Sequence, residues 1–344
     1  MKSLPWISIV LVATQPLFGC SSDDSNSTGG AGTGGEAGAA AGGSSGSGTG
    51  GQDTGSGGKA GGAGGMGTGG AGTGGMASED AGAKDIVDTA VAAGSFTKLA
   101  AALGTADLVA ALKGAGPFTV FAPTDDAFVT FETDNPGVLA GLSKDALTEI
   151  LKYHVVSGAA VESKDLKNGQ VFVTLSGSPI LIDTSSGVKV DDAKVTTADV
   201  VASNGVIHVI DHIILPPKDD IVATAVAAGT FTSLAQALTD ADLVTTLQGP
   251  GPFTVFAPTD TAFGKLASVP TGQALKDVLL YHVVPGAIGS GDLVAGSVQT
   301  ELAGKSLTVD LTSGVKIDGA NVTTANILAK NGVIHVVDTV LVPQ

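Results

Sequence analysis

Gly116-Pro117-Phe118-Thr119-Val120-Phe121-Ala122-Pro123-Thr124-Asp125 recurs without a change as Gly251 to Asp260, an offset of 135 residues. Other stretches repeat around it in the same order. Asp85-Ile86-Val87 returns as Asp220-Ile221-Val222, again at 135. Tyr153-His154-Val155-Val156 returns as Tyr281 to Val284 at 128, and Asn204-Gly205-Val206-Ile207-His208-Val209 as Asn331 to Val336 at 127. The first copy therefore carries eight more residues, mostly between Phe131 and Lys144. Each copy is as long as an ordinary domain, so these are tandem domains and not solenoid units. Their boundaries read as 80–216 and 217–344, with Pro216-Pro217 at the joint. The connection from Leu215 to Asp220 is short, which predicts little swivelling between the domains.

Within a copy, cap signals punctuate short helices. Gly94 ends the first helix and Ser95 is placed to cap the second, whose Phe96, Leu99, Ala100 and Leu103 fall at helical spacing. Gly104 is read as its end, because a helix often closes on a left-handed glycine. Thr105 then caps a third helix carrying Leu108, Val109 and Leu112, closed by Gly114. Phe118 to Ala122 reads as a strand stopped by Pro123. Thr124 caps a turn that points Phe128 inward. After Ser143, the residues Leu147, Ile150, Leu151 and His154 share one helical face, as do Leu275, Val278, Leu279 and His282. The remainder is β-like: Val171 to Leu175, Val188 to Val190, and a final pair joined at Asn204-Gly205, a dipeptide that favours a type I′ hairpin turn. Helices first and antiparallel strands later predict an α+β domain.

Composition excludes several classes. The chain has 344 residues, 17 basic against 33 acidic, and every basic residue is Lys. A net charge of −16 without arginine argues against nucleic acid as a partner and removes bidentate clamps for phosphate. Aromatic residues make up only 4% of the chain, so the core is built from Ala, Val, Leu and Ile. One Cys allows no intrachain disulfide and no cysteine-rich metal site.

That Cys stands at the end of a short apolar run, Ile7 to Ala13, too short to cross about 30 Å of hydrocarbon. Residues 1–19 read as an export signal. Leu17-Phe18-Gly19-Cys20 resembles the lipobox of bacterial lipoproteins, which implies that Cys20 becomes the lipidated N-terminus, a membrane anchor. Ser21 after it resembles outer-membrane sorting, with the domains facing the periplasm or the cell surface. Residues 20–79 are almost entirely Gly, Ala, Ser and Thr, and cannot bury enough apolar surface to offset their ordering entropy. They are expected to form a disordered tether with a typical end-to-end distance of roughly 40 Å.

The repeated motifs resemble the fasciclin domain. Thr119 to Phe128 is similar to that family's first signature segment, and Asn204 to Pro216 to its second. Tyr153-His154 lies where the family has a Tyr-His motif. The second copy matches with Thr254 to Phe263, Tyr281-His282 and Asn331 to Pro343. The resemblance covers residues 80 to 344. It implies two tandem fasciclin-like domains, each a wedge-shaped β-sandwich with a layer of short helices. It also implies extracellular adhesion, as in the periostin and transforming-growth-factor-β-induced-protein group.

The candidate partner-binding residues by that resemblance are Tyr153, His154, Tyr281 and His282. Helical spacing puts each His on the apolar face, where hydrogen bonding to backbone is the simpler explanation, and leaves each Tyr hydroxyl better placed to reach the surface. On that reading Tyr281→Phe weakens binding without lowering the melting temperature. His208, His212 and His335 form no convincing metal set, since Thr339 stands where the first copy has His212. Asp125-Asp126 is explained by a helix N-terminus and Asp191-Asp192 by a turn. No phosphate loop, nucleophile elbow or zinc-protease motif is present in the sequence. The chain is therefore read as a non-enzymatic, cofactor-free adhesion module. It would be lipid-anchored at Cys20 and engage a matrix or cell-surface protein or a polysaccharide. The alternatives are an envelope scaffold without a ligand and a hydrolase whose site assembles only in three dimensions.

Overall fold

A computed structural model describes residues 84–344. The export signal, Cys20 and the Gly-rich segment lie outside the described residues.

Domain 1 opens with α1 (Ile86–Ala93), α2 (Thr97–Thr105) and α3 (Val109–Leu112). Strand β1 (Phe118–Pro123) follows, then α4 (Asp125–Asp134), α5 (Val138–Gly141) and α6 (Lys144–Tyr153). The chain ends in β2 (Val155–Ser157), β3 (Val171–Val173), β4 (Pro179–Asp183), β5 (Lys189–Val190), β6 (Ala193–Ala202) and β7 (Gly205–Ile210). Domain 2 repeats this as α7 (Ile221–Ala228), α8 (Thr232–Asp240), α9 (Val244–Leu247), β8 (Phe253–Pro258), α10 (Asp260–Phe263) and α11 (Gly272–Tyr281). Its strands are β9 (Val283–Pro285), β10 (Gly296–Gln299), β11 (Ser306–Asp310), β12 (Lys316–Ile317), β13 (Ala320–Ala329) and β14 (Gly332–Val337). The extra residues of domain 1 lengthen α4 and add α5, whose Leu139 packs against the helix-side core.

Each domain holds one seven-stranded sheet, ordered β2-β1-β7-β6-β5-β4-β3 in domain 1. Most neighbours are antiparallel, but β1 and β7 run parallel, with Phe121 opposite His208. The sequence predicts antiparallel strands; this parallel pair joins segments separated by the helical layer and most of the other strands. The long strand β6 changes register twice, around Thr197, and Asp199 there takes a left-handed φ of 60°. Such bulges bend a sheet and switch which face a side chain meets. Accordingly Ala193 and Val195 face one core with Phe121, Ile180 and Ile210, whereas Val200 and Ala202 face the helices and Ile207. The wedge is thus one bent, continuous sheet with a core on each side. Strand β13 repeats the bend at Asn326, φ 61°.

Thr124 caps its helix as the sequence predicts, and Ser143 caps the helix read to start after it. Asp85, read in the sequence only as part of the repeat, caps α1. Each of the three side chains accepts a backbone N–H three residues on. Helix α2 departs from expectation. Ser95 does not cap it; Phe96 holds the N-cap position without a side-chain bond. The carboxylate of Asp125 instead accepts the N–H groups of Thr97 and Lys98 at 3.2 and 2.7 Å. The helix also runs through Gly104 to Thr105, and Asp107 makes the left-handed reversal at φ 55°. Thr105 donates to the Ala101 carbonyl and so does not cap α3.

The Asn204-Gly205 turn differs too. Ala202 pairs with Gly205, so the loop is Ser203-Asn204, and neither residue takes a positive φ. The type I′ reading fails because both residues answer to tertiary packing. Asn204 Oδ1 accepts the Ile86 N–H, and its Nδ2 donates to the Leu112 and Gly114 carbonyls. A Cβ on Gly205 would stand 2.1 Å from the Phe118 carbonyl oxygen. Asn331 and Gly332 repeat both arrangements.

Candidate functional site

Helix α6 ends on Tyr153, and His154 takes the C-cap position before β2 begins. The last turn of an amphipathic helix therefore drives both side chains into the fold. Tyr153 is fully buried and His154 nearly so; Tyr281 and His282 repeat this in domain 2. The Tyr153 hydroxyl does not reach the surface, and the Tyr281 hydroxyl is turned onto partners at the edge of the core, Asp318 being itself exposed. The Tyr153 hydroxyl lies 2.8 Å from Asp191 Oδ2 and 3.0 Å from the Pro179 carbonyl oxygen. The Tyr281 hydroxyl lies 2.6 Å from Asp318 Oδ2 and 3.0 Å from the Ser306 carbonyl oxygen. Helical spacing located the histidines correctly, but one residue earlier in the helix faces the second core, which the sheet bend creates.

Burial sets the protonation of this cluster. Loss of solvent, with the Asp191 charge adding to it, pushes the Tyr153 hydroxyl far above the ordinary phenol range. Burial followed by the Asp318 hydrogen bond pushes Tyr281 up to about 12. Asp191 is pushed up to about 6 by burial, against the lowering effect of the Leu181 N–H and the Tyr153 hydroxyl. Its left-handed backbone, φ 53°, turns the carboxylate back over β4.

The imidazole of His154 is committed at both nitrogens. Nδ1 lies 2.8 Å from the Ile150 carbonyl, so it carries the proton, and Nε2 accepts the Ile214 N–H at 3.3 Å. His282 makes the same pair of bonds to Val278 and Leu341. Burial lowers both to about 4, so both rings are neutral near pH 7. His208 and His335 are also fully buried. Each lies by Nε2 against a carbonyl, of Val161 or Ile288, and accepts a backbone N–H at Nδ1 from Asp199 or Asn326. Each stacks on a phenylalanine, Phe121 or Phe256. Four of the five histidines thus have no ring nitrogen free for a proton relay or a metal ion.

The fifth, His212, is exposed and meets Asp211 at 2.7 Å; that hydrogen bond raises the His212 pKa. Among the described residues no three His, Cys, Asp or Glu side chains gather as a metal site. Asp125 is spent on α2 and Asp191 on Tyr153. Sequence reasoning named the Tyr-His pairs but gave Asp191 and Asn204 only turn roles, gave Asn331 no contact, and missed Asp318, because the roles of all four depend on partners far along the chain.

Two small apolar cavities of about 20 Å³ lie under α1 and α7, against His154 and His282. That is scarcely room for a water molecule, and no organic ligand fits. An open groove of about 900 Å³ runs between α8, α10 and the start of α11, with Gln236, Phe263, Val269 and Leu275 along it. Domain 2 has no counterpart of α5 at this place in the chain.

Comparison with known proteins places these features among relatives. The Fasciclin domain matches residues 94–216 and 229–343. Protein sll1483 of Synechocystis is 47% identical over 137 residues, 39% of this chain and 75% of that protein. Human periostin is 30% identical over 269 residues, 75% of this chain and 31% of periostin, so the chain spans about a third of that relative. A solved FAS1 domain pair from the insect cell adhesion molecule Fasciclin I is 17% identical. It aligns with 73% of this chain and 97% of its own, at a TM-score of 0.33.

Proposed function

Because the chain belongs to the fasciclin domain family, we propose that it is a surface-binding module with two tandem domains. It is held at the outer membrane through lipidated Cys20, with the Gly-rich segment as its leash. The domains engage an extracellular or cell-surface protein or a polysaccharide, and no nucleic acid. The observation that carries this reading is the commitment of the buried polar groups to structure: in both domains the Tyr-His pair is spent on backbone and carboxylate partners. Such a globule offers a rigid surface.

Two copies in one chain raise avidity if both engage at once. A net charge of −16 favours partners that are basic, neutral or bridged by cations. The test is a binding screen of the full chain against envelope polysaccharides, matrix proteins and cell-surface proteins, with mass spectrometry of the mature N-terminus. Saturable binding to one class, with a lipid on Cys20, is the expected result. Turnover of a substrate by the purified chain, or an unmodified Cys20 sulfur in the mature protein, contradicts the proposal.

A further inference from the structure

The two domains touch through surfaces that are not alike, and the sequence differs where it matters. Between β2 and β3 of domain 1 the chain reads Glu162-Ser163-Lys164-Asp165, then Asn168-Gly169-Gln170-Val171. At a constant offset of 127, domain 2 reads Gly289-Ser290-Gly291-Asp292, then Ala295-Gly296-Ser297-Val298. Asn326 replaces Asp199 at the same offset.

The Gly289–Asp292 loop of domain 2 receives the Gly169 turn of domain 1. The Gly291 N–H donates to the Gly169 carbonyl at 2.9 Å, and the Val171 N–H donates to Asp292 Oδ2 at 2.8 Å. The approach is between backbones. A Cβ on Gly289 would lie 2.2 Å from the Gly169 carbonyl oxygen, and one on Gly291 would lie 2.3 Å from that of Asn168. Asn326 holds the loop in shape, accepting the Ser290 N–H and donating to its hydroxyl. Gly169 and Gly289 are both buried, whereas Gly296 is exposed and Glu162 only partly covered. Lys330 and Glu149 add an exposed ion pair across the same two domains at 3.6 Å, worth little by itself.

We propose that this is a one-way dock. The Gly-Ser-Gly-Asp loop of domain 2 is shaped to take the Asn-Gly-Gln-Val turn of a preceding fasciclin domain. Glu162 and Lys164, paired with each other at 2.7 Å, close the same surface of domain 1. A heterologous contact that does not close on itself would otherwise build an open-ended row of copies. Side chains on domain 1 where domain 2 has glycine stop the row at two domains, since a Cβ at either position collides with the incoming turn. The pair then presents its two outer surfaces in a fixed relation.

Amide hydrogen exchange on the full chain tests this. In the wild type the Val171 and Gly291 amides are expected to exchange about 100-fold more slowly than exposed loop amides. In the double variant Gly289→Glu/Gly291→Lys, which gives domain 2 the residues of domain 1, Val171 protection is expected to fall to the loop level. The amides of Phe121 and Phe256, inside the two sheets, stay slow. Glu162→Gly/Lys164→Gly is expected to leave Val171 protected. A Val171 amide that exchanges at the loop rate in the wild type overturns the dock without any variant. Undiminished protection in Gly289→Glu/Gly291→Lys overturns the role of the glycines.

Discussion

The Tyr153 hydroxyl stands between two acceptors, Asp191 Oδ2 at 2.8 Å and the Pro179 carbonyl at 3.0 Å. The hydrogen bond that Tyr153 donates to Asp191 favours the charged carboxylate. Burial acts against it and prevails, pushing the Asp191 carboxyl up to about 6.

The first prediction concerns Asp191→Asn. The folded-state pKa of Asp191 lies above the ordinary value of 3.8, so the folded state holds a proton that the unfolded state has lost. This group's contribution is therefore most favourable below about pH 4 and declines as pH rises towards 6, by up to about 3 kcal/mol. Asn keeps an acceptor for the Leu181 N–H, gives the Tyr153 oxygen a donor, and tolerates the left-handed backbone. Asp191→Asn is expected to raise the melting temperature at pH 8 and to leave it nearly unchanged at pH 4. Thermal unfolding at the two pH values checks it; destabilisation at pH 8 contradicts it.

The histidines pull the other way. His154 and His282 are lowered to about 4, so they are neutral in the folded state where the unfolded chain is protonated. Each contributes stability that is present above about pH 6.5 and lost as pH falls to 4, on the order of 3 kcal/mol at most. Burial lowers His335 in the same sense. Together they outweigh Asp191. Urea unfolding is expected to show a lower midpoint at pH 5 than at pH 7, and His154→Gln is expected to flatten that slope.

Tyr281→Phe tests the Tyr-His motif. The surface reading predicts weaker binding at unchanged stability. The hydroxyl's two internal bonds predict the reverse, because removal leaves the Ser306 carbonyl and the Asp318 carboxylate short of a donor. The cost is about 1–3 kcal/mol. A lower melting temperature with unchanged affinity for the partner is the expected outcome.

Two nonlocal caps make a further comparison. Asp125→Ala and Asp260→Ala each strip the first turn of a helix of two hydrogen bonds and are expected to cost about 1–2 kcal/mol. Asn204→Ala and Asn331→Ala each remove three bonds that tie the first helix, the third helix and the last strand together. They are expected to cost more, about 2–4 kcal/mol. Denaturant midpoints of the four variants give the ranking.

These residues also show what was legible in the sequence. The repeat is legible as recurring strings, and the cap at Thr124, the helix start after Ser143 and the inward face of His154 were read correctly because each rests on spacing within a single element. Ser95 was read as the cap of α2, whereas the true cap, Asp125, comes from 27 or 28 residues away. Asn204-Gly205 was read as a turn signal although both residues are fixed by contacts with Ile86 and Phe118. The inward Tyr153 follows from the bend in β6, which gives the sheet a second core that no helical wheel displays.

The central claim, that these domains bind a surface on behalf of a tethered protein, is tested most directly by attachment of whole cells. A strain lacking the protein is expected to attach poorly to its partner surface, and the wild-type chain is expected to restore attachment where Cys20→Ala does not. A deletion strain that attaches as firmly as its parent would contradict the account.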